Sequence, residues 1–315
     1  MPIVSSCSIV VPVYYGAKTL PELTRRLAAV MNEAAGEYEI IYVNDGSQDD
    51  SWQVISALAC QYPSVRGINL MRNYGQHNAT LCGVRAARYE ITVTVDDDLQ
   101  HPPEEIPALL IKLNEGWDVV YGIPQKRPHS WWRNGFSVLT KRVMARTLGV
   151  PTIRSLGAFR AFRTNIRRAF ASFSSPDVWL DVLLTWGTSR FATVVVKEEP
   201  RVVGESNYDF IKLARVAINM MTGFSTLPLR LASILGFAFT FFGVLVFFYV
   251  IFSYLTSGSV EGFPFLASII ALFSGTQLFA LGIIGEYLAR MFSRSMERPT
   301  YAIQETTPET STEPK

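Results

Sequence analysis

Three consecutive aspartates, Asp96, Asp97 and Asp98, follow the apolar run ITVTV at 91–95 and precede LQHPPEE. In an extended chain alternate side chains share a face, so Asp96 and Asp98 point one way and Asp97 the other. Two carboxylates a few ångströms apart repel each other unless a cation sits between them. Hard oxygen donors suit Mg²⁺ or Mn²⁺, which keeps some of its waters and completes its shell with phosphate oxygens. The plainer alternative, an acidic turn capping a helix that begins near Pro102, accounts for one or two of these aspartates. A fourth carboxylate, Asp45 in NDGS at 44–47, ends another apolar run. It is suited either to accept a hydrogen bond from a nucleobase N–H or to cap the helix that follows. Cys7, Cys60 and Cys82 form no CxxC pair and have no histidine or cysteine partner at metal spacing, which argues against a disulfide scaffold or a zinc site. His77 and His101 match no metal triad, and His129 reads as a surface residue.

Carboxylates at strand ends act together only if a sheet aligns those ends. Runs rich in β-branched residues at 8–14, 38–44, 65–71, 91–95 and 117–122 alternate with helical patterns. In the first helical pattern Leu20, Leu23, Leu27, Val30 and Ala34 keep a spacing of three or four residues. Strands alternating with helices give an α/β fold with a mostly parallel sheet and right-handed crossovers, whose ligand lies beyond the carboxyl ends of the strands. Neither the GxGxxG dinucleotide fingerprint nor the GxxxxGK[ST] phosphate loop occurs.

The carboxyl-terminal third is different in kind. Leu231 to Thr256 is 26 residues without a charge, and Gly262 to Gly285 is 24. At about 1.5 Å per residue each is long enough for the roughly 30 Å hydrocarbon core of a bilayer. Arg230 precedes the first span, and Arg290, Arg294 and Arg298 follow the second, while the connection carries only Glu261. That asymmetry predicts both termini in the cytosol, as parts of an integral membrane protein. No cleaved signal is expected, because the apolar run at 8–14 is short and reads as a strand. The expected organisation is a catalytic domain at 1–207, an amphipathic juxtamembrane helix at 208–226, a two-helix transmembrane hairpin at 227–290 and a cytosolic tail at 291–315. The tail's ETTPETSTEPK end, from Glu305, is expected to be disordered. Ala232, Gly236 and Thr240 form a small-residue stripe suited to close helix packing, either within the hairpin or in a homo-oligomer, with a tetramer as one form.

Charge is divided unevenly. The net charge of +2, from 29 basic and 27 acidic residues, excludes a nucleic-acid binder acting through bulk charge. Residues 1–121 carry 8 basic and 15 acidic side chains, and residues 122–201 carry 14 and 4. The basic half is expected to face anionic lipid headgroups. Within it, QKRPHSWWRNG at 125–135 mixes Arg133 with Trp131 and Trp132, a combination suited to the membrane interface.

Taken in order, VVPVYYG (10–16), VNDGSQDDS (43–51), RNYGQHNA (72–79), DDDLQHPPEEIP (96–107), FRAFR (159–163), RVVGESNY (201–208) and GEYLAR (285–290) resemble the family 2 glycosyltransferases of the GT-A fold. The nearer resemblance is to the polyprenyl-phosphate glycosyltransferases, which include dolichol-phosphate mannose synthases and their bacterial undecaprenyl-phosphate relatives. It implies a Rossmann-like GT-A catalytic domain followed by two transmembrane helices. It further implies that Pro12, Tyr14 and Asp45 hold the nucleotide base and ribose, that Asp96, Asp98 and Gln100 serve the metal and diphosphate, and that Arg201 and Ser206 lie near the phosphates. Gly16 stands where members commonly have an acidic residue, and so does Arg154.

The expected activity is therefore metal-dependent, inverting transfer of one hexose from a nucleoside diphosphate sugar, UDP-glucose first, to polyprenyl phosphate at the cytosolic membrane face. Arg133 and Arg201 would steer the acceptor phosphate, whose second pKa of about 6 leaves it anionic near neutrality. The rival expectation is a catalytically silent membrane scaffold that only binds nucleotide sugar.

Overall fold

The structure is a computed structural model and describes residues 2–124, 157–176, 178–199, 226–257 and 262–308. The chain divides into two compact units, one of residues 1–207 with 297–315 and one of residues 208–296.

In the first unit an eight-stranded sheet has the order β7-β5-β6-β4-β1-β2-β3-β8. Its strands are β1 (Val4–Val13), β2 (Ala35–Asn44), β3 (Val65–Leu70), β4 (Ile91–Thr94), β5 (Val119–Pro124), β6 (Arg160–Arg163), β7 (Phe191–Val196) and β8 (Ile303–Thr306). The helices beside them are α1 (Leu20–Ala34), α2 (Ser51–Gln61), α3 (Gln76–Ala86), α4 (Ile106–Asn114) and α5 (Leu180–Gly187). β1 pairs in parallel with β2 and β4, β2 with β3, and β5 with β7. β6 lies antiparallel between β4 and β5. The five strand runs read from the sequence all appear, although β1 and β2 begin earlier than their apolar stretches. β1 is covered on both faces, so it reads as the continuous apolar run SIVVPV, buried throughout.

α1 shows how pattern becomes packing. Leu20, Leu23, Leu27, Met31 and Ala34 are buried in the same core as Ile9 and Val11 of β1, Ile106 and Leu110 of α4 and Phe159. Met31 occupies the buried seat that spacing assigned to Val30, which is half-buried. Polar groups buried on β4, β5, β6 and α5 are matched to one another. Arg160 on β6 and Asp181 on α5 form a buried ion pair, Tyr121 donates to Asp181 at 3.0 Å, and Arg160 Nε donates to Thr94 Oγ1 at 3.1 Å.

β8 corrects the expected tail. Residues from Glu305 were expected to be disordered, yet β8 pairs antiparallel with the edge strand β3. The Gly67 N–H donates to Thr307 Oγ1 at 2.9 Å, the Thr307 N–H returns to the Gly67 carbonyl at 3.0 Å, and Asn69 Nδ2 donates to Glu305 Oε1 at 3.0 Å. The Thr- and Glu-rich composition is that of an edge strand facing solvent: its four residues are exposed, and pairing with β3 fixes it.

Three arginines of the basic segment serve the fold. Besides the buried Arg160, Arg167 Nη1 donates to the carbonyls of Val84, Arg85 and Ala87 at the end of α3, and Arg163 pairs with Glu90 at 3.3 Å. Cations suit a helix carboxyl terminus, where unpaired carbonyls collect.

In the second unit α6 (Leu227–Ser257) and α7 (Phe263–Ser295) are long and apolar enough to cross a membrane. Phe237 and Leu255 are each 77% exposed in the isolated chain, an arrangement that hydrocarbon rather than water would accommodate. Between the two helices the close approach falls at Gly243, where a Cβ would lie 3.1 Å from Phe273 Cζ. Phe239 packs edge-on against the same ring at 5.7 Å. Gly236, the centre of the expected stripe, has nothing within 4 Å of where its Cβ would be. The expected juxtamembrane helix at 208–226 lies almost wholly outside the described residues.

Candidate active site

Strand order reverses at β1: the chain proceeds through β2 and β3 on one side and then crosses to β4 on the other. Loops leaving the carboxyl ends of strands on opposite sides of such a point cannot cover each other, so a crevice forms there. A cavity of about 430 Å³ occupies it, walled by the turn after β1 (Pro12 to Gly16), by Asp45 after β2, by Asn73, Gly75 and Gln76 before and at the start of α3, and by Asp96, Asp97 and Asp98 after β4.

β4 ends at Thr94 and Asp97 and Asp98 sit in a turn, so the expected alternation of an extended chain does not apply: all three aspartates line the cavity, each with a partner of its own. Asp96 Oδ1 accepts from Gln76 Nε2 at 2.6 Å, and Asp98 Oδ1 accepts from the Gln100 N–H at 3.1 Å. Asp97 turns instead toward β1, where Oδ2 accepts the Tyr14 N–H at 3.2 Å. Burial above all, with the negative charges of Asp96 and Asp98 added to it, raises the Asp97 carboxyl to about 7 against the lowering effect of that N–H.

Asp45 is 2% exposed and both its oxygens are engaged. It accepts the N–H groups of Tyr74 at 2.7 Å and Gly75 at 2.8 Å, holding the β3–α3 loop at the cleft. Desolvation raises its pKa while those two N–H groups pull it down. The approach is close because residue 46 is glycine at φ +65°, where a Cβ would lie 2.4 Å from the Arg72 carbonyl carbon. Capping of α2 falls to Asp49, which accepts the N–H and hydroxyl of Ser51 at 3.2 and 2.6 Å.

Pro12, Tyr14, Asp45, Asp96 and Asp98 thus meet on one cleft. Gln100 is not among its lining residues: its N–H caps Asp98 and its carbonyl accepts the Glu199 N–H at 2.8 Å. Arg133, Arg154, Arg201 and Ser206 lie outside the described residues. Sequence reasoning assigned no role to Asp97, Gln76, Asn73 or Tyr15, which also line the cleft. RNYGQHNA was the available signal for two of them, since it places a long amide at the start of α3.

Among the described residues no three carboxylate, imidazole or thiolate side chains converge as a metal cage. That fits the chemistry of Mg²⁺ and Mn²⁺ with a nucleotide, where one or two carboxylates suffice and substrate phosphates complete the shell. Asp96 and Asp98 are the pair suited to hold it.

A mostly parallel sheet with an acidic cleft at its switch point is the arrangement of a GT-A-like fold. The chain belongs to glycosyl transferase family 2, whose description matches residues 8–171, and it is a glycosyltransferase. It is 36% identical over 302 residues to the undecaprenyl-phosphate 4-deoxy-4-formamido-L-arabinose transferase of Shewanella sediminis, covering 95% of this chain and 91% of that one. Among solved structures a mycobacterial protein aligns at TM-score 0.51 and 19% identity over 69% of this chain and 73% of its own, a likeness of fold. The glucosyl-3-phosphoglycerate synthase of Mycobacterium tuberculosis, crystallised with Mn²⁺ and UDP-glucose, aligns at TM-score 0.47 and 15% identity over 69% of this chain and 77% of its own.

Proposed function

We propose that this enzyme transfers a sugar, with inversion, from a UDP-sugar to polyprenyl phosphate, of the undecaprenyl type, at the cytosolic face of the cytoplasmic membrane. The observation that carries this reading is the 36% identity to a transferase named for undecaprenyl phosphate, in an alignment that covers 95% of this chain. Pro12 and Tyr14 line the base and ribose end of the cleft, with Asp45 ordering the loop of Tyr74 and Gly75 beside them. Asp96 and Asp98 would hold Mg²⁺ or Mn²⁺ against the donor diphosphate, and the ion supplies charge neutralisation of the leaving group. Gln100 supports that pair by fixing Asp98 through its backbone.

The acceptor requires placement more than deprotonation, because its phosphate is already anionic near pH 7. Arg133 and Arg201 are assigned to steer it, and Ser206 to the phosphate end of the donor. Asp181 is not the base: it is 7% exposed and committed to Arg160 and Tyr121.

UDP-glucose is the first donor to test. A UDP-linked 4-deoxy-4-formamido-L-arabinose is the second, favoured by the activity in the name of the Shewanella relative. Membranes carrying the protein are incubated with undecaprenyl phosphate and each radiolabelled donor. Chloroform-extractable label that requires Mg²⁺ or Mn²⁺ supports transfer, whereas donor binding without lipid-linked label with any donor favours the silent scaffold.

A further inference from the structure

Three successive N–H groups in the turn after β1 donate to side chains from other loops. Tyr14 donates to Asp97 Oδ2 at 3.2 Å, Tyr15 to Ser47 Oγ at 3.1 Å and Gly16 to Ser51 Oγ at 3.0 Å. The turn needs holding, because Tyr15 sits at φ +57°, a left-handed conformation that a residue with a Cβ resists. Asp97 does more than accept one N–H. A Cβ at residue 16 would lie 2.5 Å from Asp97 Oδ2 and 3.0 Å from Val13 Cγ1, so the carboxylate fills the space that a side chain there would need.

We propose that Asp97 is a positioning residue for the nucleotide donor: its carboxylate locks the Tyr14–Gly16 turn against the acidic loop, and glycine at 16 is its steric complement. The proposal rests on the reading of this cleft as the UDP-sugar site. Both partners line the cavity, so the lock fixes the wall formed by Tyr14 and Tyr15, whose rings pack edge-on at 4.5 Å. Asp96 and Asp98 accept from Gln76 Nε2 and from the Gln100 N–H instead, so the middle aspartate of the triad ties two loops together while its neighbours are left to serve the cation.

The test compares full-length protein in detergent as wild type, Asp97→Asn, Asp97→Ala, Gly16→Ala and the Gly16→Ala, Asp97→Ala double variant. Hydrogen exchange over residues 11–20 reads the turn, UDP titration in EDTA reads the nucleotide wall, and Mn²⁺ alone, followed by its electron paramagnetic resonance, reads ligation. Asp97→Ala should speed exchange and weaken UDP binding about tenfold, the loss of one hydrogen bond to a charged acceptor. Asp97→Asn keeps an acceptor oxygen and should stay within about twofold of wild type on both measures. Gly16→Ala should weaken UDP at least as much as Asp97→Ala, and adding Asp97→Ala to it should bring no further loss. Mn²⁺ binding should be unchanged throughout. Loss of Mn²⁺ affinity in Asp97→Asn, unchanged exchange in Asp97→Ala, or multiplying losses in the double variant would each overturn the proposal. Wild-type protein that fails to bind UDP refutes the donor reading instead, and the exchange measurement still decides whether Asp97 locks the turn.

Discussion

Replacing Asp45 by asparagine isolates the contribution of one carboxylate that touches no solvent-exposed partner. The wild-type side chain accepts two backbone N–H groups, from Tyr74 at 2.7 Å and Gly75 at 2.8 Å. An asparagine oxygen keeps one of these, and its NH₂ meets the other N–H, so one bond is lost and one donor is left unpaired. A hydrogen bond to a charged group is worth about 1.5–3 kcal/mol. Part of that is offset, because Asp45 is 2% exposed and burial raises its pKa by more than the two N–H groups lower it. Removing the charge recovers some of this burial cost and leaves a net loss of about 1–2 kcal/mol in holding the loop. Expressed in binding, UDP affinity should fall roughly 5–30-fold. Asp45→Ala, which loses both acceptors, should fall further. Calorimetric titration of UDP measures the loss, and hydrogen exchange should show it concentrated in residues 72–76. Wild-type UDP affinity in a folded Asp45→Asn protein would refute the reasoning.

Three further outcomes are expected. Asp98→Asn keeps shape but removes a ligand charge, so Mn²⁺ affinity and turnover should both fall by at least about 100-fold, beyond the loss typical of an outer-sphere partner, with the melting temperature retained. Near-normal turnover at low metal would exclude Asp98 from the site. His77 is half-buried against Trp179 and desolvation lowers its pKa below the ordinary 6.5, so the neutral ring is favoured in the fold. Its contribution is present above about pH 6.5 and is lost as the pH falls and the unfolded chain takes up the proton; His77→Phe should flatten the acid limb of a melting-temperature profile below that pH. Thr307→Val leaves the Gly67 N–H unpaired at the β3 edge and should cost about 1–3 kcal/mol, a fall of roughly 2–12 °C in melting temperature; an unchanged melt would mean that water replaces the hydroxyl.

What the sequence makes legible follows from burial. β1 to β5 are buried strands, so they read as apolar runs, and the carboxylates ending β2 and β4 are visible because charge interrupts those runs. β6, β7 and β8 are harder. RAFR is a four-residue strand flanked by arginines, and its first arginine is neutralised in the core by Asp181, a partner 21 residues further on. IQET at an exposed edge has no apolar alternation, and what makes it a strand is pairing with residues over 230 positions earlier. The triad itself was readable, yet the role of Asp97 was not, because it depends on the space beside Gly16. The partner of Asp45 was equally hidden, since a backbone N–H is the same in every sequence.

β8 sets an order of events for the chain as it is made. β3 is complete when Leu70 is synthesised, but its outer edge has no partner until Ile303–Thr306 emerge, after both long apolar helices. For that interval the sheet presents an open row of N–H and C=O groups, the feature through which strands recruit the wrong neighbours. Closure of the edge by β8 therefore waits until both apolar helices have been synthesised. A chain stalled or cleaved within the hairpin keeps its acidic cleft but exposes β3, so incomplete molecules carry a mark that distinguishes them from finished ones.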